Sequence, residues 1–455
     1  MQTQTCEHPK QSQAMRRKKV DHMRKWLLLF SCAVLAASAA PRLSLDPVTE
    51  RRVTIGETAA IHLVKAGVAD FEVAISKTAN PRVRQAGEQL CQLLSQITGT
   101  LLEPIAQASG SRPVFLVGDL EVAKALGIDP AGLDCDGFVI RTHEKQILLL
   151  GSDAADATKG YGTLYAVYDF LERFAGARFF FPGDAGTILP LKRDWSIPAL
   201  DIADRPDCYV RSAYDPRSQW YDDSNRAKAQ ELQYRYLRFS TRWIPNCHGL
   251  AQLQLVERFA KTNPEYFALK ENGTRHDGSV VKVRSDTNGH ICFSSKELQE
   301  VIYQDAKAFL SGEPAASRGL KRWRFHKLPF FNIMPNDSMA RCRCPGCWPH
   351  FQDEQRLRRQ TTPEALAAKR KAGLFLWRWK LELANRLKRE GVEGYATMMA
   401  YDLATIIPDE DIPDNVVLQV ATTGPWNEVR PAAQAEGDQL LHDWMAKVGG
   451  KGYLW

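Results

Sequence analysis

The chain has 455 residues, 44% of them hydrophobic and eleven of them Trp, with 60 Lys and Arg against 53 Asp and Glu for a formal net charge of +7. That apolar content excludes a disordered chain, and because five of the seven net charges fall within residues 1–25, the rest is nearly neutral and has no basic footprint for nucleic acid. The apolar run at 26–36 is far below the roughly 20 residues a membrane helix needs, so no stable membrane span is expected once that run is removed.

Residues 1–40 read as a leader and signal peptide. Met23-Arg24-Lys25 opens a basic segment, 26–36 is apolar, and Ala37-Ser38-Ala39 supplies small residues for cleavage. Export to the periplasm or the cell exterior follows. Eight of the ten cysteines remain after cleavage, in a compartment that permits disulfides. Cys91, Cys135, Cys208, Cys247 and Cys292 lie singly beside apolar runs and read as buried free thiols.

Residues 41–200 form a small α/β domain by pattern. Strands are predicted at 58–64 and 71–75. A helix follows at 80–97, with Asn80 as its cap, Pro81 in its first turn, and an apolar face through Val83, Leu90, Leu93 and Leu94. Further strands are predicted at 113–117, 138–141 and 146–150. Gly160 then opens a helical stretch with apolar positions Leu164, Val167, Phe170, Leu171 and Phe174, stopped by Gly176 and followed by an aromatic strand at 178–181.

From 203 onward strands and helices alternate. Strands are predicted at 209–214, 237–243, 290–293, 328–334, 394–401, 416–422 and 452–455, and helices at 225–236, 251–261, 295–310, 363–390 and 432–448. Such alternation argues for a parallel sheet. Seven units point to a (β/α)8 TIM-type barrel over 203–455. It is expected to be truncated before its last unit, since the sequence stops inside strand seven.

Parallel α/β folds place their chemistry at the carboxyl ends of strands. Asp337, Asp402 and Glu428 follow the predicted strands four, five and six. Cleaving a glycosidic bond needs a proton donor and a second carboxylate, which acts as nucleophile or as base toward water. The same residues could instead cap turns. His248, after strand two, suits a hydroxyl ligand or a structural histidine. Arg211, in strand one, suits either a sugar carboxylate or an internal salt bridge. Trp243, Tyr401 and Trp426 lie near strand ends, where an aromatic face can stack on a pyranose ring.

Cys342, Cys344 and Cys347 have CxCxxC spacing, with His350 three residues further on. Three readings stay open: a structural zinc site with His350 or another group as fourth ligand, a disulfide or plain thiols bracing the loop, and a reactive thiol. No cofactor is required by the chemistry above.

Two stretches carry a resemblance. The helix and FFFP strand within 160–182 resemble the end of the amino-terminal domain found in alpha-glucuronidases and beta-hexosaminidases. The ordered set CHGL (247–250), NPEYFAL (263–269), ICFSSKEL (291–298) and MPNDSMARCRCPGC (334–347) resembles bacterial exported proteins with domain of unknown function 4838, grouped near glycoside hydrolases. The resemblance implies a TIM-barrel glycosidase acting on carbohydrate, such as a uronic-acid or amino-sugar glycan, with Asp337 at the acid's position after strand four. The sequence departs from hexosaminidases in carrying Asn336-Asp337 where they carry an adjacent Asp-Glu pair. A non-catalytic glycan-binding protein on the same scaffold, or a metal-dependent hydrolase using His248 and the cysteines, are the alternatives.

Overall fold

The computed structural model describes residue 45 and residues 48–454, apart from 182, 212–233, 241, 247, 277–289, 325, 337–338 and 423–428. The described chain divides after Gly249 into two compact units, each with its own apolar core. Among the described residues no helix is long and apolar enough to cross a membrane.

The first unit is built on a seven-stranded mixed sheet. Its strands are β1 (Arg52–Lys65), β2 (Val68–Ala69), β3 (Glu72–Ile75), β4 (Val114–Val117), β5 (Phe138–His143), β6 (Gln146–Gly151) and β9 (Trp195–Asp204), in the order β2-β1-β9-β5-β6-β4-β3. A separate small hairpin pairs β7 (Arg178–Phe179) with β8 (Thr187–Ile188). Helices α1 (Pro81–Thr98), α2 (Leu120–Ala125) and α3 (Gly162–Phe170) complete it.

The helix signals hold locally. The Asn80 side chain accepts the backbone N–H groups of Arg82 and Val83, and Gly99 ends α1 at φ 71°, where a residue without Cβ is unstrained. Strand β9 was not expected. Pro198 sits within it and pairs opposite Ala59, where the β1–β9 register shifts; the shift accommodates a residue that cannot donate to the ladder.

The second unit holds a curled four-stranded parallel half-barrel sheet, β10 (Phe330–Asn332), β11 (Tyr395–Ala400), β12 (Val416–Val420) and β13 (Gly452–Leu454), in sequence order. Its helices are α4 (Leu255–Phe259), α5 (Lys296–Leu310), α6 (Trp348–Leu357), α7 (Pro363–Arg389) and α8 (Pro431–Lys447). Thr362 caps α7 by accepting the Ala365 N–H, and Arg386, Lys388 and Arg389 close its last turn, where cations meet the negative end of the helix dipole.

Four of the seven predicted barrel strands are therefore present. The described parts of the other three form no regular strand. At 290–293 only an isolated bridge, Ile291 to Phe267, is made. Near 237–243 Arg238 takes a left-handed φ of 58°. There Ser240 donates its N–H to the Arg211 carbonyl while its hydroxyl accepts the Arg211 N–H, so a side chain takes one of the two places that backbone groups would fill in a ladder.

Candidate active site and a four-cysteine cluster

The parallel sheet has two buried faces of different character. Phe331, Ala396, Met398, Ala400, Val416, Leu418 and Val420 join the apolar core with residues of α5, α7 and α8. Alternate residues point the other way. Asn332 is in register with Thr397, and Met399 with Gln419, so Asn332, Thr397 and Gln419 share the opposite face, and all three are buried. Strands apolar on nearly every residue fit a sheet covered on both sides. Three polar residues at such positions mark the face where polar chemistry is tolerated.

The carboxyl ends of the strands continue this face. Beyond β10 the Asn332 side chain accepts the Met334 N–H at 2.9 Å, and Asn336 is buried. Asp337 lies outside the described residues. Beyond β11 come half-buried Tyr401 and then Asp402, whose φ is 53°. A non-glycine residue in this region is worth a functional question.

The carboxylate of Asp402 is held by Arg341. Its two oxygens meet Nη1 and Nη2 of the guanidinium at 2.7 and 3.1 Å, a two-pronged pairing that fixes orientation as well as charge. Arg341 also binds Glu354 of α6 at 3.1 and 3.3 Å and donates to the Met339 carbonyl at 2.7 Å. Burial works to lower the Arg341 pKa, but its bonds to Asp402 and Glu354 outweigh that and push it up. The Asp402 side chain keeps 31% of its surface exposed, against 12% for Arg341 and 6% for Glu354. It is a firmly positioned carboxylate that still has an open side.

The remaining expected site residues are scattered. Arg211, Trp243 and His248 belong to the first unit. Arg211 binds buried Asp136 at 2.7 Å and donates to the carbonyls of Arg238 and Cys208 at 2.7 and 2.9 Å, which is the salt-bridge reading. Trp243 is 37% exposed, and half-buried His248 takes a φ of 53°. Trp426 and Glu428 lie outside the described residues.

The structure thus joins Asp402 to Arg341 and Glu354, neither of which the sequence singled out. Arg341 stands directly before the cysteine run, and nothing local ties it to a strand end 61 residues away.

The cysteines converge, with one correction to the expected set. Cys292, Cys342, Cys344 and Cys347 are buried, and their sulfurs all lie within 4.8 Å of one another. Cys292 was read as an isolated thiol, yet it supplies the fourth sulfur, at 3.5 Å from Cys344 and 3.8 Å from Cys347. His350 stands apart, its ring stacked on Phe375 at 4.1 Å, because the first turn of α6 carries it to the helix surface. Among the described residues every cysteine is free.

Hydrogen bonds from Cys342 and then Cys347 hold the Cys292 thiol far below its ordinary range. The same sharing with Cys292 pushes Cys347 up and Cys342 up to about 12. A group of four sulfurs in this arrangement could bind a metal ion.

Residues 181–448 match the family described as domain of unknown function DUF4838. No curated protein matches the sequence. Among solved structures the chain is similar to a beta-N-acetylhexosaminidase from Bacteroides fragilis NCTC 9343, at 12% identity and a TM-score of 0.34, over 87% of this chain and 72% of that one. It is also similar to a family GH115 4-O-methyl-alpha-glucuronidase with specificity for decorated arabinogalactans, at 13% identity and a TM-score of 0.35, over 80% of this chain and 46% of that one. A GH138 enzyme targeting pectin rhamnogalacturonan II matches at 15% identity and a TM-score of 0.23, over 81% and 51%. The chain spans about half the length of the last two.

Proposed function

The chain belongs to the family of domain of unknown function DUF4838, and on that premise we propose that it is an exported glycoside hydrolase acting on an oligo- or polysaccharide through two carboxylates. The observation that carries the reading is Asp402. It is a positioned, partly open carboxylate at the carboxyl end of a parallel strand, beside a sheet face that carries buried polar residues. Strand ends of this kind are where α/β folds assemble catalytic groups.

In this reading Asp402 is the second carboxylate, oriented by its two-pronged pairing with Arg341. Asp337 is the proton donor to the leaving oxygen, and Glu428 is the alternative carboxylate after β12. Tyr401 and Trp426 offer faces for a sugar ring. The parallel half-barrel is taken as part of a TIM-type barrel in a domain at 203–455, preceded by a domain at 41–200 and a leader at 1–40. Uronic-acid or amino-sugar glycans are the substrates to try first.

A hydrolytic metal in the cysteine cluster is disfavoured. An ion held by all four sulfurs has no open position for water, and the sulfurs are buried.

The test is reducing-sugar release by the purified chain from aryl glycosides and from polysaccharides bearing uronic or amino sugars. Hydrolysis that is lost in Asp337→Asn and Asp402→Asn, with thermal unfolding preserved, supports the reading. Glycan binding without any product overturns it in favour of a binding protein, and hydrolysis undiminished in both variants removes the carboxylate assignment.

A further inference from the structure

We propose that Cys292, Cys342, Cys344 and Cys347 are the four ligands of one structural zinc ion, which ties the segment entering α5 to the loop between β10 and α6. The inference does not depend on the glycosidase reading, and its test uses no sugar.

Distance is the first argument. A tetrahedral ion with Zn–S near 2.3 Å sets its sulfurs about 3.8 Å apart, whereas a disulfide needs about 2.05 Å. The structure has 3.5 and 3.8 Å from Cys292 to Cys344 and Cys347, with all four sulfurs within 4.8 Å. Four sulfurs at this spacing surround a point rather than pair off.

The local backbone is built to hold them there. Cys344-Pro345-Gly346-Cys347 folds back on itself, with the N–H groups of Cys347 and Trp348 both donating to the Cys344 carbonyl at 3.1 and 2.9 Å. The turn returns the second thiol toward the first. A Cβ on Gly346 would lie 2.6 Å from the Ser294 Oγ, so glycine is what lets the Cys292 segment approach the turn. Ser295 caps α5 by accepting the Leu298 N–H, which fixes that segment from the other side.

A second layer of donors surrounds the sulfurs. The Leu269 N–H donates to the Cys342 Sγ at 3.3 Å. The Ser294 hydroxyl lies 3.3 Å from the sulfurs of Cys292, Cys344 and Cys347, with one O–H to donate among them. Such donors stabilise thiolate charge around a bound metal and orient its ligands.

Soft thiolates in a tetrahedral set select zinc or iron. The cluster is buried away from solvent, which suits an ion without redox work. On binding, the thiols give up their protons to solvent and the ion takes four sulfur lone pairs, with no oxidant involved. The linkage spans Cys292 to Cys342, and thus includes α5 and β10. Fixing ends this far apart removes substantial chain entropy from the unfolded state.

The test is elemental analysis and denaturing mass spectrometry of the full chain, purified without added metal or reductant. About one zinc per chain, a mass with all four thiols intact, and thiols that react only after chelation are expected. His350→Ala should retain the zinc and Cys292→Ser should lose it. Because Cys292→Ser could misfold, the unaltered chain decides: a mass lighter by two or four hydrogens without metal means disulfides and overturns the proposal. Iron in place of zinc overturns the identity of the ion. Loss of zinc in His350→Ala with folding intact overturns the ligand set.

Discussion

The two units both bury carboxylates but use them differently. In the first unit Asp136 accepts the Tyr161 N–H at 2.8 Å and pairs with Arg211. Asp153 accepts the N–H and hydroxyl of Thr163 in the first turn of α3, at 2.7 and 2.9 Å. Asp169 pairs with Arg173 at 2.6 Å. Burial is the largest influence on Asp153 and Asp169 and raises both carboxyls. Each of the three is held by donors from its own fold, Asp153 through Oδ1 alone.

The second unit has carboxylates of that kind too: Asp305, fully buried between Arg258 and Arg318, and Glu354, buried against Arg341. Asp402 differs, since its arginine pairing leaves one side open at a strand end. Burial and a strong ion pair do not distinguish structure from chemistry. In the proposed reading, position on a parallel sheet and a remaining open face do.

That contrast can be broken experimentally, most sharply at Asp402 itself. Asp402→Asn is expected to lower kcat/KM by about 10²–10⁴-fold while leaving the unfolding midpoint nearly unchanged, because Arg341 keeps Glu354. A large loss of stability instead would place Asp402 with the structural carboxylates. The first unit should show the opposite pattern. Arg211→Met leaves Asp136 buried without its cation, and denaturant unfolding should register a loss of about 3–5 kcal/mol, with activity per folded molecule unchanged.

Smaller effects sharpen the difference further. Lys380 of α7 is buried, donating to the Met399 carbonyl at 3.3 Å, and desolvation lowers its pKa from 10.5 to about 7. The unfolded chain therefore holds this proton more tightly than the folded one. Its contribution to stability is full above about pH 10.5 and is lost as pH falls toward 7. The slope is at most about 1.4 kcal/mol per pH unit, and Lys380→Met should flatten it in thermal unfolding scans.

His326 works in the same direction at lower pH. Desolvation lowers it from 6.5 to about 3, so stability falls between those values on acidification, and His326→Gln should reduce that fall. The smallest effect belongs to the first unit, where Asn80→Ala removes the α1 cap and should lower stability by about 1 kcal/mol.

Much of the second unit's architecture was legible because its signals are short in range. The apolar runs that became β10, β11, β12 and β13 all fall inside predicted strands, and α5, α7 and α8 begin and end within a residue or two of the predicted helices. The segment at 290–293 departs from its strand-like pattern for the same reason. A short apolar run looks like a strand, but only a neighbouring strand in register can make it one.

What the sequence by itself determined was the set of local choices: helix caps, apolar periodicity, and three cysteines close enough in the chain to announce a cluster. The tertiary structure alone decided the partners. It brought Cys292 rather than His350 to the other three cysteines, set Arg341 against Asp402, and assigned Arg211 to Asp136. Each of those pairings joins residues dozens of positions apart, and no periodicity or spacing encodes them. They follow from how the packed elements are brought into register, which depends on the whole core at once.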